Sequence, residues 1–387
     1  MQLLMLSQAS LPFSFNGSNN GPSSNCVHHE KLALLQLKSG FLIERGYYNS
    51  SSRLDSWNPA IDCCSWEGIT CDEGTSHVIG LDLSSCLDVE CSWIKGRIDP
   101  SLFHLRSLQK LNLSWNYFYP HPIPSGLGHL TNLTHLNLSY SEFTGQIPLE
   151  ISRLAKLVSL DLSDYFQGPS YNLMLKNPNL TTLVGNLSSL QELFLDRVSI
   201  SGEHGGKWAQ AISNAMPNLQ RLSLRDCGLQ GPIDLSLFRI LDLSQLSLDG
   251  NNLSIVVPDF LDNPHLAIGF PKFSQNKALQ SLLLGNTTFQ KKLLDSINNL
   301  KFLKKLSARN CNISGSLPSS IANLIQLEHL GLSSNNFSGT IPSSYGGSNH
   351  AKHKWVADSR RLYFVFYCKQ WLSGPWPCRL TQHTYFS

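Results

Sequence analysis

The side chains most able to do chemistry in this 387-residue chain are its cysteines and histidines. Cys63 and Cys64 are adjacent, with Cys26 and Cys71 nearby, a set that can form disulfides or ligate a metal. Zinc sites built on cysteine need a second His/Cys pair at short spacing, and none accompanies Cys63-Cys64. Four cysteines allow three connectivities, and spacing does not choose among them. Cys86 and Cys91 admit a local bridge, or Cys86 is only a turn residue; Cys368 and Cys378 have no evident partner but each other. His28-His29-Glu30 lacks the H-E-x-x-H spacing of a zinc hydrolase. The chain has no G-x-S-x-G elbow, Gly-rich phosphate loop or H-R-D loop. His129, His135 and His329 fall on or beside short strands and read as surface residues. No catalytic, cofactor or metal constellation emerges, so the chain reads as a non-enzyme. A net charge of +3 with 15% charged residues is not the profile of a nucleic-acid binder.

What the chain does have is a repeat. Leucines recur as L-x-x-L-x-L, as in Leu108-Gln109-Lys110-Leu111-Asn112-Leu113 and Leu327-Glu328-His329-Leu330-Gly331-Leu332. The middle leucine falls at Leu81, Leu111, Leu136, Leu160, Leu193, Leu222, Leu246, Leu282, Leu306 and Leu330. Four of the nine steps are 24 residues, so 24 is the unit and the steps of 33, 29 and 36 are insertions. This is the spacing of a leucine-rich repeat, in which no unit buries its apolar face alone. L-x-L alternates with period two and predicts a short strand. Ten parallel strands about 4.8 Å apart give an arc of roughly 45 Å. Each buried Leu contributes about 1.5–3 kcal/mol, and only stacked neighbours can cover it. The expected fold is an α/β solenoid, a right-handed superhelix with a parallel concave sheet.

The ninth position of a unit is where the chain leaves the strand. Asn116, Asn251 and Asn335 stand there, and an amide both donates and accepts, so it can satisfy buried turn groups. Cys86, Cys227 and Cys311 take the same slot, with Ser141 and Thr287 as hydroxyl substitutes. Tyr165 and Val198 fit poorly, which predicts irregularity there. Many units continue as G-x-I-P, as in Gly145-Gln146-Ile147-Pro148 and Gly339-Thr340-Ile341-Pro342. That pattern resembles the plant extracellular subtype of the repeat.

Residues 26–77 precede the repeats. Glu30 to Leu42 carries apolar residues at helical spacing, followed by Leu54-Asp55-Ser56-Trp57 and Cys63-Cys64-Ser65-Trp66. The segment resembles the N-terminal cap of plant leucine-rich repeat proteins. That resemblance implies bridges Cys26–Cys63 and Cys64–Cys71, with Trp57 and Trp66 covering the first coil. From Cys26 to about Ser344 the chain is similar to the ectodomain of plant receptor-like proteins of the Verticillium-wilt and Cladosporium-resistance type. Leu248-Asp249-Gly250-Asn251-Asn252-Leu253-Ser254 and Gly315-Ser316-Leu317-Pro318-Ser319-Ser320-Ile321 carry the likeness. It implies pathogen perception outside the cell, with signalling through a partner receptor kinase, and no cofactor.

Four segments are expected: 1–25 disordered or a degenerate signal, 26–77 the cap, 78–344 about ten repeats, and 345–387 a divergent tail. Members of that family carry more repeats and one transmembrane helix; this chain has no 18-residue apolar run, which reads as a truncated relative. N-x-S/T sequons begin at Asn16, Asn49, Asn112, Asn132, Asn137, Asn179, Asn186, Asn252, Asn286, Asn312 and Asn336. With a cysteine-rich cap they argue for a secretory route and an apoplastic or plasma-membrane-associated protein.

Residues beside the strand leucines face the concave side. They include Lys110, Trp115, His135, Tyr140, Asp161, Asp164, Lys305 and Arg309. The first candidate for a protein, peptide or glycan ligand is Phe194, Asp196, Arg197, Arg221, Arg225 and Asp226, on two adjacent strands and rich in the residue types that anchor interfaces. An ordinary solvated face is the competing reading. A secreted inhibitor similar to the polygalacturonase-inhibiting proteins is the alternative function, and a non-functional receptor fragment a further one; the irregular steps favour the receptor family.

Overall fold

A computed structural model describes residues 26–46, 51–86, 91–164, 173–200, 207–255, 278–289, 300–317, 321 and 323–338. Tyr165, Asn16, Asn49, Cys368, Cys378 and the expected terminal segments lie outside them. The concave sheet has eleven strands. The first, Ile69–Cys71, runs antiparallel to Val78–Asp82, and the following strands run parallel. Register is set by the middle leucines: Leu81 pairs with Leu111, Leu111 with Leu136, Leu193 with Leu222, Leu282 with Leu306 and Leu306 with Leu330. One continuous apolar core follows them from Cys26 to Leu332. The protein is a leucine-rich repeat solenoid.

Among the described residues, several units return along the convex side as a single 3-10 turn, such as Pro100–His104, Ser125–His129 and Leu149–Arg153. Two of the long units hold helices instead. The 33-residue step contains α2 (Leu180–Val184), N-capped by Asn179, whose Oδ1 accepts from Thr182 N at 2.9 Å. The 29-residue step contains α3 (Lys207–Ala215) with Trp208 buried. A second, outer strip of strands is broken there. Gly145–Gln146, Leu173–Leu175 and Ser199–Ile200 form one sheet, and Gln230–Pro232, Asn252–Ile255 and Thr288–Phe289 the next. Gly145 and Gly231 lie in these strands at φ 82° and 85°, which only Gly adopts without strain.

The ninth position joins each unit to the one before. Asn251 Nδ2 donates to Leu248 O of its own unit at 2.9 Å and to Leu224 O of the preceding unit at 2.6 Å. Its Oδ1 accepts from Cys227 N at 3.0 Å and Leu229 N at 3.1 Å. Asn335 repeats the pattern on Leu332 O and Ala308 O, and Asn116 on Leu113 O and Leu83 O. The substitutes keep the donor, and Ser141 Oγ also accepts weakly from Asn116 N at 3.5 Å. Cys227 Sγ reaches Leu195 O at 3.0 Å, Cys311 Sγ reaches Leu284 O at 3.2 Å, and Ser141 Oγ reaches Leu113 O at 2.7 Å. Val198 has no such donor; its backbone N–H closes the turn on Leu195 O at 3.0 Å, beside the break in the outer strip.

The first coil is covered by α1 (His28–Ser39). Glu30 on this helix is buried, and its Oε2 accepts from Val78 N at 2.7 Å while Oε1 meets His77 Nδ1 at 3.0 Å. A carboxylate thus satisfies the backbone of the first parallel strand, where a preceding repeat would otherwise donate the partner. Trp57 and Trp66 stack 5.3 Å apart and are both buried. Cysteines pair as Cys26–Cys63 and Cys64–Cys71, with Cα separations of 5.6 Å, and Cys86 is bridged to Cys91. Trp93–Gly96 then folds back antiparallel onto Phe41–Glu44, a contact that no repeat pattern signals.

Replacing Asn251 by Ala leaves two buried carbonyls and two buried N–H groups short of a partner. The expected cost is about 3 kcal/mol. Thermal unfolding should show a midpoint lowered by several degrees, with the exposed neighbour variant Asn252→Ala unchanged. Equal midpoints would show that the ninth-position amide is dispensable.

Candidate ligand-binding face

Within each unit, the third, fifth, seventh and eighth residues line the concave side and its edge. Third-position residues are Lys110, His135, Ser159, Glu192, Arg221, Gln245, Ser281, Lys305 and His329. His135 is half-buried, sharing a 2.8 Å hydrogen bond with Thr134 Oγ1, and burial with Lys110 nearby lowers its basicity. Lys305 and Arg309 are exposed.

The fifth position is not a solvent column in the first half of the sheet. Asn112, Asn137 and Asp161 are each over nine-tenths buried. Asn112 Oδ1 accepts from Ser114 N at 3.1 Å and Ser114 Oγ at 2.8 Å, Asn137 repeats this with Ser139, and Asp161 Oδ1 accepts from Ser163 N at 3.0 Å. This corrects two expectations. The sequons at Asn112 and Asn137 are folded inward and leave no room for a glycan, and Asp161 and Asp164 are buried rather than presented to solvent. Asn132 is bound to Arg106 O and Lys156 Nζ, and Asn179 is the α2 cap. Asn186, Asn252, Asn286, Asn312 and Asn336 are exposed.

The six residues singled out from sequence come together, in a different role for one of them. Phe194 is only 8% exposed, because the Arg221 guanidinium lies 5.3 Å above its ring. It is the floor of the cluster, not an exposed anchor. Arg221 pairs with Glu192, whose other oxygen accepts from Ser159 Oγ at 2.8 Å. Asp196 accepts from Ser223 Oγ at 2.5 Å and Arg225 N at 2.9 Å. Arg225 stands 4.0 Å from both Asp196 and Asp249, and Arg197 stands 3.6 Å from Asp226. Burial pushes the Asp196 and Asp249 carboxyls up, against the hydrogen bonds that hold them down. The result is a half-buried lattice of alternating charge.

The backbone of the eighth position was not visible from the spacing. Its residues take left-handed backbone: Trp115, Tyr140, Arg197, Asp226, Gly250, Asn286, Asn310 and Ser334 all have φ between 53° and 76°, save Asn310 at 52°. Their side chains pair along the sheet edge. Trp115 stacks on Tyr140 with centroids 4.3 Å apart, Arg197 meets Asp226, and Asn310 Nδ2 donates to Asn286 Oδ1 at 2.7 Å. The available signal was the recurrence of Gly and Asn, the residues that tolerate this conformation.

In the cap, Cys26, Asp62, Cys63 and Cys64 offer ligand atoms within 4.8 Å of one another. The three sulfurs are joined in disulfides, which removes the thiolates a metal would need.

Comparison with known proteins agrees with this architecture. Residues 27–72 match the family described as Leucine rich repeat N-terminal domain. Residues 107–130, 132–154, 302–324 and 326–348 match Leucine Rich Repeat. Receptor-like protein 6 of Arabidopsis thaliana is 36% identical over 300 residues, 74% of this chain and 28% of its own length. Receptor-like protein Cf-9 of Solanum pimpinellifolium is 34% identical over 294 residues, 72% of this chain and 31% of its own. The chain belongs to the plant receptor-like proteins. It spans less than a third of the length of these two relatives. Among solved structures, the ectodomain of the Arabidopsis receptor kinase HAESA in complex with an IDA peptide hormone superposes with a TM-score of 0.58 at 27% identity. That match covers 81% of this chain and 50% of HAESA. Among the described residues no helix is long and apolar enough to cross a membrane.

Asp161 gives a pH test. Burial, against the Ser163 hydrogen bonds, pushes its carboxyl up to about 6. In the unfolded chain an aspartate titrates near 4. Between these values the folded state holds a proton that the unfolded state has released, so ionisation costs stability as pH rises from about 4 to about 6. Asn112 and Asn137 show that an amide satisfies the same contacts. Asp161→Asn is therefore expected to stabilise the fold by about 2 kcal/mol near neutral pH, with the gain gone below about pH 4. Unfolding midpoints of both proteins across that range check it; a gain independent of pH would refute it.

Proposed function

We propose that this chain is the ligand-recognition ectodomain of an extracellular plant receptor-like protein, acting in pathogen perception and defence and signalling through a partner receptor kinase. The observation that carries the proposal is the concave cluster of Phe194, Asp196, Arg197, Arg221, Arg225 and Asp226, held on two rigid adjacent strands. Its alternating charge suits a polar protein or peptide, whose side chains and backbone can exchange with the existing pairs. Arg is favoured at such positions because one guanidinium supplies several donors in fixed geometry. The HAESA complex shows a solenoid of this fold holding a peptide hormone. Family membership supports the extracellular setting, and the cap disulfides fit an oxidising compartment. Glycans belong on the exposed sequons Asn186, Asn252, Asn286, Asn312 and Asn336.

The test is capture from apoplastic fluid of infected leaves by immobilised protein. The Arg221→Gln/Arg225→Gln variant keeps the stems over Phe194 but removes the fork of donors. A protease-sensitive ligand should be retained by the unmodified chain and roughly tenfold less by the variant. Equal retention, or retention that survives protease treatment of the fluid, would refute the reading.

A further inference from the structure

The convex flank beside the cap collects positive charge that the concave cluster does not use. Three successive 3-10 turns each end on a basic residue, His104, His129 and Arg153. Helix α1 packs on the first of these turns, and the three turns pack side by side. Gly128 lets the second and third close on each other: a Cβ there would stand 2.7 Å from Glu150 O. Arg106 and Lys156 follow the first and third turns. With His29 of α1 these residues form a strip across the cap and three coils, and all six side chains are exposed.

The strip is positioned by bonds between coils. Arg106 Nη1 donates to His129 O at 3.0 Å, Asn132 Nδ2 donates to Arg106 O at 3.0 Å, and Lys156 Nζ donates to Asn132 Oδ1 at 2.8 Å. These acceptors are neutral oxygens. Among the described residues, the one carboxylate paired with the strip is Glu150, 4.0 Å from Arg153. Other arginines stand against carboxylates, Arg45 on Asp55, Arg53 on Asp82 and Arg221 on Glu192. At the cap end, His29, Leu32, Ala33, Gln36, His104 and Arg106 line a cleft of about 410 Å³, within the range of small-ligand sites. Leu32 is 54% exposed and gives the cleft an apolar wall. Between the cations the strip presents Ser107, Thr131 and Ala155, with no large apolar side chain.

We infer that this strip binds a linear acidic polysaccharide carrying one carboxylate per sugar residue. Coils stack roughly 5 Å apart, close to the length of one sugar residue, so cations recur along the strip much as carboxylates recur along such a polymer. A guanidinium holds a carboxylate through two parallel N–H donors. The imidazoles, the Gln36 amide and the Thr131 hydroxyl suit sugar hydroxyls, and Leu32 with Ala33 suits the C–H face of a sugar ring. A protein partner would take its affinity from a large side chain buried at the centre of the contact, and outside the cleft the strip offers no seat for one. The strip lies on a different face from the concave ion-pair cluster and does not depend on it.

Calorimetric titration of the full chain with a galacturonic acid decamer tests the inference. The methyl-esterified decamer, which keeps the sugar backbone without its charge, and a glutamate decamer are the further arms. Saturable binding of the uronate is expected, roughly tenfold or more tighter than either comparison ligand and weakened by added salt. Arg106→Gln/Lys156→Gln should weaken it roughly tenfold or more. Thr131→Glu adds a repelling charge at an exposed position and leaves every bond described above in place, so it should weaken binding with an unchanged unfolding temperature. If the double variant unfolds at a lower temperature, Thr131→Glu decides. Arg239→Gln, at the end of a later turn, and Arg221→Gln/Arg225→Gln should each bind within about threefold of the unmodified chain, so this inference and the concave-face reading fail separately. Equal affinity for the esterified decamer, equal or tighter binding of the glutamate decamer, or full affinity in the Thr131→Glu variant would overturn the proposal. So would the absence of saturable uronate binding.

Discussion

Every coil of this solenoid must turn out of a strand inside its own core, and the turn buries carbonyls that no neighbouring strand can reach. The side chain at the ninth position resolves this. Asn116, Asn251 and Asn335 supply two donors and an acceptor, so each ties the turn of its own unit to that of the unit before. Cys227, Cys311 and Ser141 supply one donor in place of two, which is enough for the carbonyl of the preceding unit. Burial drives Cys227 well away from thiolate, so it acts as a donor and packing group without redox reactivity. The leucines provide the larger free energy, but they are interchangeable among coils. The ninth-position bonds fix where one coil sits on the next.

The first coil has no predecessor to supply such a bond. The cap solves the same problem by other means: Glu30 replaces a backbone acceptor for Val78, and Trp57 and Trp66 replace the leucines of a missing unit. A buried carboxylate is acceptable here because both of its oxygens are engaged. The cap is therefore an electrostatic and aromatic substitute for a repeat, cross-linked because its own core is small.

The fold was legible because its signals are periodic. Each of the ten middle leucines stands in the concave sheet, and the helices α2 and α3 fall in the long units where the spacing departs from 24. The binding face was legible only as a set of positions. Spacing says that Asn112, Asp161 and Phe194 lie beside strand leucines; it does not say that hydroxyls two residues later draw the first two inward, or that Arg221 roofs the third. The first two contacts are local hydrogen bonds that the leucine spacing does not announce, and the third joins side chains of neighbouring units, which no local pattern records. Cys86 is similar. Spacing left it open between a turn residue and a bridge to Cys91, and the structure forms the bridge.

The eighth position shows how a repeat can vary without disturbing the fold. Its backbone is fixed by the turn, so its side chain is free to vary, and the stack of coils brings successive side chains into contact. Neighbours then become partners of whatever kind the sequence supplies: rings at Trp115 and Tyr140, an ion pair at Arg197 and Asp226, amides at Asn286 and Asn310. The left-handed conformation penalises Trp115, Tyr140 and Arg197 more than the amides, Asp226 or Gly250. A row that departs from the favoured residues over several units stores strain that the leucine core must offset. The core can do so because it is continuous from the cap onward. The edge is thus where a solenoid of this type can be specialised at small cost to the stacking on which it depends.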